Sequence, residues 1–280
     1  MPEPAAAPPT RSERRQHTNR VRVVAIVAVV VVLLVGAGVF AITQGGGGDA
    51  SAKPAATNAA TSSSAAPVGG PNVFADQGDQ VFRVAVVKAI GIPIYTAPDA
   101  NAKPAQTLSA LTEYRVPRSL LVFNTYQDWL QVYLPTRPNN STGWVKSSDV
   151  NVSPQTMDWA VKVDLEHFHV TVLHNGAVDW ETDAAIGSPQ YPTPTGTYYI
   201  TDPIDLRNQP GTGYGAFALG LSGHSDVLTE FAGSDGQIGI HGTDNPGDIG
   251  QAISHGCVRL TNPDILRLST LPIGTPVFIT

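Results

Sequence analysis

Cys257 is the only cysteine among 280 residues, and His241 and His255 precede it by sixteen and two positions in IGIHGTDNPGDIGQAISHGCVRL. A cysteine attacks as its thiolate, and a free thiol with a pKa of about 8.5 is mostly protonated at neutral pH. A neighbouring imidazole can take that proton if a further group fixes its tautomer. His255 shares a face with Cys257 if the backbone between them is extended. His241 follows the apolar run QIGI and can approach from an adjacent strand or loop. Glycines flank these groups (Gly239, Gly242 and Gly256), and a backbone without Cβ atoms lets N–H groups come close to a reacting centre. The amides of Gly256 and Cys257 are therefore candidates to hold an oxyanion.

Other chemistries compete for the same residues. Unpaired cysteine packs as a small hydrophobe, so a buried thiol without chemistry is an open reading. A zinc site through His241, His255 and Cys257 lacks a fourth ligand and a familiar spacing, and no metal is expected. Papain-like peptidases also pair Cys with His, but there the cysteine comes first in sequence. With a single cysteine, no internal disulfide can form.

These residues need strands to hold them. In WAVKVDLEHFHVTVLHNGAVDWETD the apolar positions alternate through Val161, Val163 and Leu165, then change parity at Phe168, Val170 and Val172. That switch predicts a tight turn at Glu166-His167, and Asn175-Gly176 is a strong hairpin signal. A three-stranded meander over 159–185 follows, with His167, His169 and His174 on its turns or solvated face. Asn262-Pro263-Asp264 predicts an N-cap, a proline at N1 and an acidic first turn for a helix of about two turns. Pro276 then opens a final strand.

Upstream, VFRVAVVKAIGIPIY, YRVP, SLLVFNTY, WLQVYLP and GWVK predict about six short strands, suggesting a small barrel or sandwich over 80–150. Trp129 and Trp144 are core aromatics or ligand-stacking residues. Of residues 44–71, 23 of 28 are Gly, Ala, Ser, Thr or Pro, too few apolar groups to offset the entropy of ordering. A flexible linker over 43–72 is expected. Residues 23–42 carry no charge, and twenty helical residues match a bilayer core of about 30 Å. The arginines of the 1–22 tail predict a cytoplasmic N-terminus, a single-pass membrane anchor and an extracytoplasmic remainder. A cleaved signal is the competing reading. The formal net charge of −6, with no basic stripe, excludes a nucleic-acid partner.

The stretch HGTDNPGDIGQAISHGCVRLTNPD closely resembles the signature of the L,D-transpeptidase (YkuD-type) catalytic domain, and the resemblance extends back over 158–280 through GLSG, TPTG and Val163-Asp164-Leu165. DWLQVYLPTRPNNSTGWVKSSDV resembles the end of bacterial SH3-like modules. The expected fold class is mainly β: a transmembrane helix, an SH3-like barrel, and a β-rich catalytic domain with a short helix after Cys257.

The family resemblance implies a peptidoglycan transpeptidase that forms 3→3 cross-links through a Cys257 thioester with release of D-alanine. It assigns Cys257 as nucleophile and His241 as proton acceptor and donor, oriented by the Gly242 carbonyl. Ser254 and His255 take supporting or substrate-positioning roles, and Arg259 pairs either with a stem carboxylate or in a structural salt bridge. The implied partners are peptidoglycan stem peptides, with acylation of Cys257 by carbapenems, and no cofactor. The same thioester would serve an L,D-carboxypeptidase or a protein-attachment enzyme, and an inactive wall-binding scaffold is the non-enzymatic alternative.

Overall fold

Alternating apolar residues dominate the chain, and the computed structural model turns them into sheets. It describes residues 82–153, 157–231 and 233–280. These residues belong to one unit.

The first half of that unit is strand-rich because its runs are short, β-branched and broken by Pro, Asn and Gly. Five strands form an antiparallel sheet: β1 (Arg83–Val87), β4 (Ser119–Tyr126), β5 (Trp129–Tyr133), β6 (Thr142–Lys146) and β7 (Val150–Val152), in the order β6-β5-β4-β1-β7. β2 (Gly91–Ile94) and β3 (Gln106–Ser109) pair as a separate hairpin. Ile92, Leu120, Val132 and Val145 close a core between them. Trp129 is buried edge-on against Tyr95, with ring centroids 5.0 Å apart, whereas Trp144 is half-buried. YRVP does not form a strand. It lies in a loop closed by the Leu111–Pro117 bridge, with Arg115 at a φ of 62°, which ends extended structure there.

The predicted meander forms from β8 (Trp159–Asp164), β9 (His169–His174) and β10 (Ala177–Asp183). Asn175 and Gly176 have φ of 53° and 77°, the left-handed pair that a two-residue hairpin requires. His167, His169 and His174 lie beside carboxylates of Asp164, Asp183 and Asp158 on the solvated side. The meander is one end of an eight-stranded sheet ordered β10-β9-β8-β17-β12-β13-β14-β16. The other members are β12 (Gly196–Asp205), β13 (Phe217–His224), β14 (Gln237–His241), β16 (Val258–Arg259) and β17 (Pro276–Ile279). β17 pairs parallel to β8 and antiparallel to β12, and β14 pairs parallel to β16. Two short strands, β11 (Ile186–Gly187) and β15 (Ala252–Ser254), pair beside it.

Helix α1 (Asn262–Leu268) covers the sheet with Ile265 and Leu268, both fully buried. Its N-cap is Thr261, one residue earlier than the sequence suggests: the Thr261 side chain accepts from the Asp264 N–H. Asn262 is committed elsewhere, its Oδ1 accepting from the Ala216 N–H at 2.8 Å.

The mainly β class stands, and the membrane anchor is corrected. Among the described residues no helix is long and apolar enough to cross a membrane. The seven residues of α1 rise only about 10 Å, against roughly 30 Å of hydrocarbon. The 1–22 tail, the 23–42 segment and the 43–72 linker lie outside the described residues. The single-pass topology, the membrane partnership and the cell-membrane localisation with an extracytoplasmic remainder therefore have no element behind them and are withdrawn.

Candidate active site

The alternation in QIGIH decides which residues face the site. Ile238 and Ile240 point into the core beside Val258 and Leu260, so Gln237, Gly239 and His241 take the opposite face of β14. On β16 the pairing His241–Arg259 and Ile240–Val258 repeats this division. Continued by one step, the same register sets Cys257 beside Gly239. A backbone hydrogen bond from Gly239 to the thiol agrees with that position. The parallel pairing thus brings His241 and Cys257 onto one face of two neighbouring strands.

His241 is 4% exposed, and its Nδ1 lies 2.6 Å from the Gly242 carbonyl oxygen. Nδ1 donates there, which leaves Nε2 as the basic nitrogen. The Tyr214 ring packs on the imidazole with centroids 4.7 Å apart. Burial pushes the His241 pKa down to about 4; the Gly242 hydrogen bond opposes this and the Arg259 charge adds to it. Cys257 is a half-buried free thiol. Burial pushes its pKa up, while the Gly239 hydrogen bond and Arg259 pull it down. These shifts favour a neutral imidazole and a neutral thiol at pH 7.

Ser254 fixes the turn into the cysteine. Its Oγ donates to the Cys257 carbonyl at 2.6 Å and accepts the Gly256 N–H at 3.1 Å. Of the two amides expected to face an oxyanion, Gly256's is thus engaged by Ser254. Gly256 has φ of 118°, where an L side chain is strained, although 3.6 Å of clearance surrounds the place of a Cβ. That conformation also breaks the extended geometry that would put His255 and Cys257 on a common face. His255 is exposed and packs between Tyr191 and Phe231, at centroid distances of 4.9 and 5.1 Å.

Arg259 meets Asp248, Nη1 to Oδ2 at 2.7 Å, and Asp248 also accepts from Asn245 and Thr243. This ion pair holds the 242–248 loop, while the guanidinium charge still reaches Cys257 and His241. The Arg259 Nε is buried with no partner. Among the described residues no group of three or more His, Cys, Asp or Glu could hold a metal ion. Gly239 is expected from the sequence only as a flanking glycine, and Tyr214 and Asp248 are not expected at the site at all. The QIGIH alternation could have assigned Gly239 to the thiol's face, whereas nothing local marks Tyr214 or Asp248.

A family model for the YkuD L,D-transpeptidase catalytic domain matches residues 158–279. It does not extend to the 80–150 region, so the SH3-like resemblance there gains no support from it. A Bacillus subtilis (strain 168) protein bearing the name L,D-transpeptidase YkuD is 35% identical over 127 residues, which span 45% of this chain and 68% of that protein. A Bacillus licheniformis protein of the same name is 28% identical over 187 residues, 64% of this chain and 97% of that one. Among solved structures, an L,D-transpeptidase from Mycobacterium smegmatis aligns over 67% of this chain and 99% of its own at 15% identity, with a TM-score of 0.38. With its extended Ser-His-Gly-Cys signature on the matched segment, the chain belongs to the YkuD-type L,D-transpeptidase family.

Proposed function

We propose that the chain is a peptidoglycan L,D-transpeptidase that forms 3→3 cross-links through a thioester on Cys257. The observation that supports the reading is the parallel pairing of β14 with β16, which sets the buried, singly oriented His241 opposite Arg259, two residues after the only cysteine. Cys257 Sγ attacks the carbonyl carbon of the third stem residue as His241 Nε2 takes the thiol proton. The Cys257 N–H is the amide left to face the oxyanion. The tetrahedral centre then collapses, the C–N bond to D-alanine breaks, and His241 returns its proton to the leaving amine. In the second half, a diamino acid's side-chain amine attacks the thioester and gives its proton to His241, and the thiol is regenerated. Water in place of the amine makes the same chain an L,D-carboxypeptidase.

Starting neutral suits this cycle. The proton moves only as charge develops, and the Arg259 field then favours the sulfur anion over the ring cation. Ser254 and Gly256 shape the turn, and His255 lines the approach between two aromatic rings. Incubation with a tetrapeptide donor or a carbapenem should raise the intact mass by one acyl group. Cys257→Ala should show no adduct, and turnover surviving in that variant would sink the mechanism. His241→Ala should slow acylation by at least 100-fold. A greater loss in His255→Ala would move the base to His255. The 80–150 region remains a proposed accessory module of this enzyme.

A further inference from the structure

The family match begins at residue 158, yet the catalytic half is gripped from outside it. The loop between β5 and β6 carries Arg137 and Asn139 to the end of β13. Asn139 Oδ1 accepts the His224 N–H at 2.9 Å, and its Nδ2 donates to the His224 carbonyl at 2.6 Å and to Asp226 Oδ1 at 2.9 Å. Arg137 Nη2 donates to the Ser225 and Leu228 carbonyls at 3.1 and 2.9 Å. Bonds from a guanidinium are charge-assisted and stronger than those between neutral groups.

These contacts fall on the hairpin connection from β13 to β14, residues 225–236. Burial does little to hold that segment: Asp226, Val227, Thr229, Glu230 and Phe231 are exposed, whereas Leu228 is half-buried. A segment with so few buried apolar contacts opens easily unless hydrogen bonds pin it. Its neck is closed by the Ser225 N–H on the Gly236 carbonyl at 2.8 Å, and His224 Nε2 lies 3.0 Å from Asp235 Oδ2. At the tip, Phe231 and Ser234 exchange backbone hydrogen bonds at 3.0 Å, which fixes the backbone that carries the Phe231 ring.

That ring stacks on His255, with centroids 5.1 Å apart and an interplanar angle of 26°. Tyr191 packs on the same imidazole at 4.9 Å and 32°. Among the described residues nothing hydrogen-bonds to the His255 ring, so stacking is what orients it. His255 is two residues from Cys257, a span of at most about 7 Å along the backbone. The Pro192 carbonyl, next to Tyr191, lies 3.6 Å from the place of a Cβ on Gly256. The stack therefore borders the turn that presents the nucleophile.

We propose that the N-terminal sheet, through Arg137 and Asn139, pins the 225–236 hairpin so that Phe231 fixes the His255 ring beside Cys257, and that this ring seats the acyl donor. Arg137, Asn139 and Phe231 are positioning residues that act through His255. The seating of the donor rests on the function proposed above; the pinning does not.

The seven histidines of the full-length protein can be labelled selectively, and the His255 ring protons identified by their loss in His255→Gln. In Phe231→Ala those resonances should move downfield, towards a solvated imidazole, as the shielding by the Phe231 face is lost. Phe231→Tyr should keep the parent positions. Phe231→Leu, with bulk but no ring face, should match Phe231→Ala. Arg137→Ala and Asn139→Ala should each move the same resonances in the same direction, and Arg137→Lys, which still donates to carbonyls, should move them less. With a tetrapeptide donor, Phe231→Ala and Arg137→Ala should each raise KM about tenfold with kcat changed by less than about threefold, and the double variant should be no worse than either, because both act through one ring.

Resonances that stay in place in Phe231→Ala would overturn the stack, and resonances that stay in place in both Arg137→Ala and Asn139→Ala would overturn the pinning. Moved resonances with an unchanged donor KM would overturn the seating of the donor. If the parent protein does not acylate at all, the proposed function fails, and the His255 resonances still decide the pinning.

Discussion

At the scale of single residues, the active pair differs from an ion pair in ways that pH can read. Burial takes charge away from both His241 and Cys257, one pKa falling to about 4 and the other rising. The acylation rate, kcat/KM, should therefore be level from about pH 5 to pH 8, because the base is already neutral and the thiol still protonated. A limb near pH 6.5 would indicate that an ordinary, solvated histidine is the base. The same depression affects folding. Between about pH 4 and 6.5 the unfolded chain binds the proton that the folded imidazole refuses, so stability rises with pH across that window and is lost as pH falls. The shift corresponds to about 3 kcal/mol at most. His241→Gln should flatten that part of a stability-versus-pH curve measured by urea unfolding. Both expectations come from burial, which a sequence does not display. What the sequence did display was the residue set: Cys257, His241 and the glycines around them are legible from type and spacing.

At the scale of elements, two short turns carry much of the site's precision. Gly256 holds a backbone that other residues adopt only under strain, so Gly256→Ala should destabilise the fold by about 1–3 kcal/mol even though a methyl has room. A melting temperature equal to the parent's would show the turn to be pliable. Thr261 caps α1, and Thr261→Ala should cost about 1 kcal/mol, whereas Asn262→Ala should act through the lost Ala216 contact instead. The meander was legible because alternation and Asn-Gly are local signals. The cap was misplaced by one residue because Asn262 resembles a cap in type, and only the fold reveals that Ala216 claims it. YRVP misled for a related reason: its residues favour strands, but the 111–117 turn and the Thr112–Asp202 bond override that preference. The membrane anchor was inferred from an uncharged run and the arginines before it, and no described element supports it.

At the scale of the whole unit, the two sheets are joined by shared packing. Phe82, Leu121 and Tyr133 from the first half meet Tyr199 and Phe278 from the second in one buried cluster. Asn139 exchanges two hydrogen bonds with the His224 backbone, and Arg137 reaches the Ser225 and Leu228 carbonyls. Phe278→Ala should cost about 3–5 kcal/mol. Because the cluster serves both halves, calorimetry should show one transition moving to lower temperature in that variant. Two separated transitions in the parent would mean that the halves unfold independently. None of this joining was legible beforehand, since periodicity places a residue on a face without naming what that face meets.

The position of β17 sets the order of assembly. This strand is the last of the sheet to be synthesised, yet it lies at the sheet's centre, between β8 and β12. Until residues 276–279 emerge, the meander β8–β10 and the group β12-β13-β14-β16 are two fragments with facing unpaired edges. Both strands of the reactive pair belong to the second fragment. The hydrolytic machinery of a cell would therefore meet a nascent chain whose chemistry is encoded but whose support is unfinished, and closure depends on a contact spanning more than a hundred residues. Such distant pairings form slowly and leave edges open to misassociation in the meantime. Folding yield, more than activity, is where substitutions in residues 276–279 should first be felt.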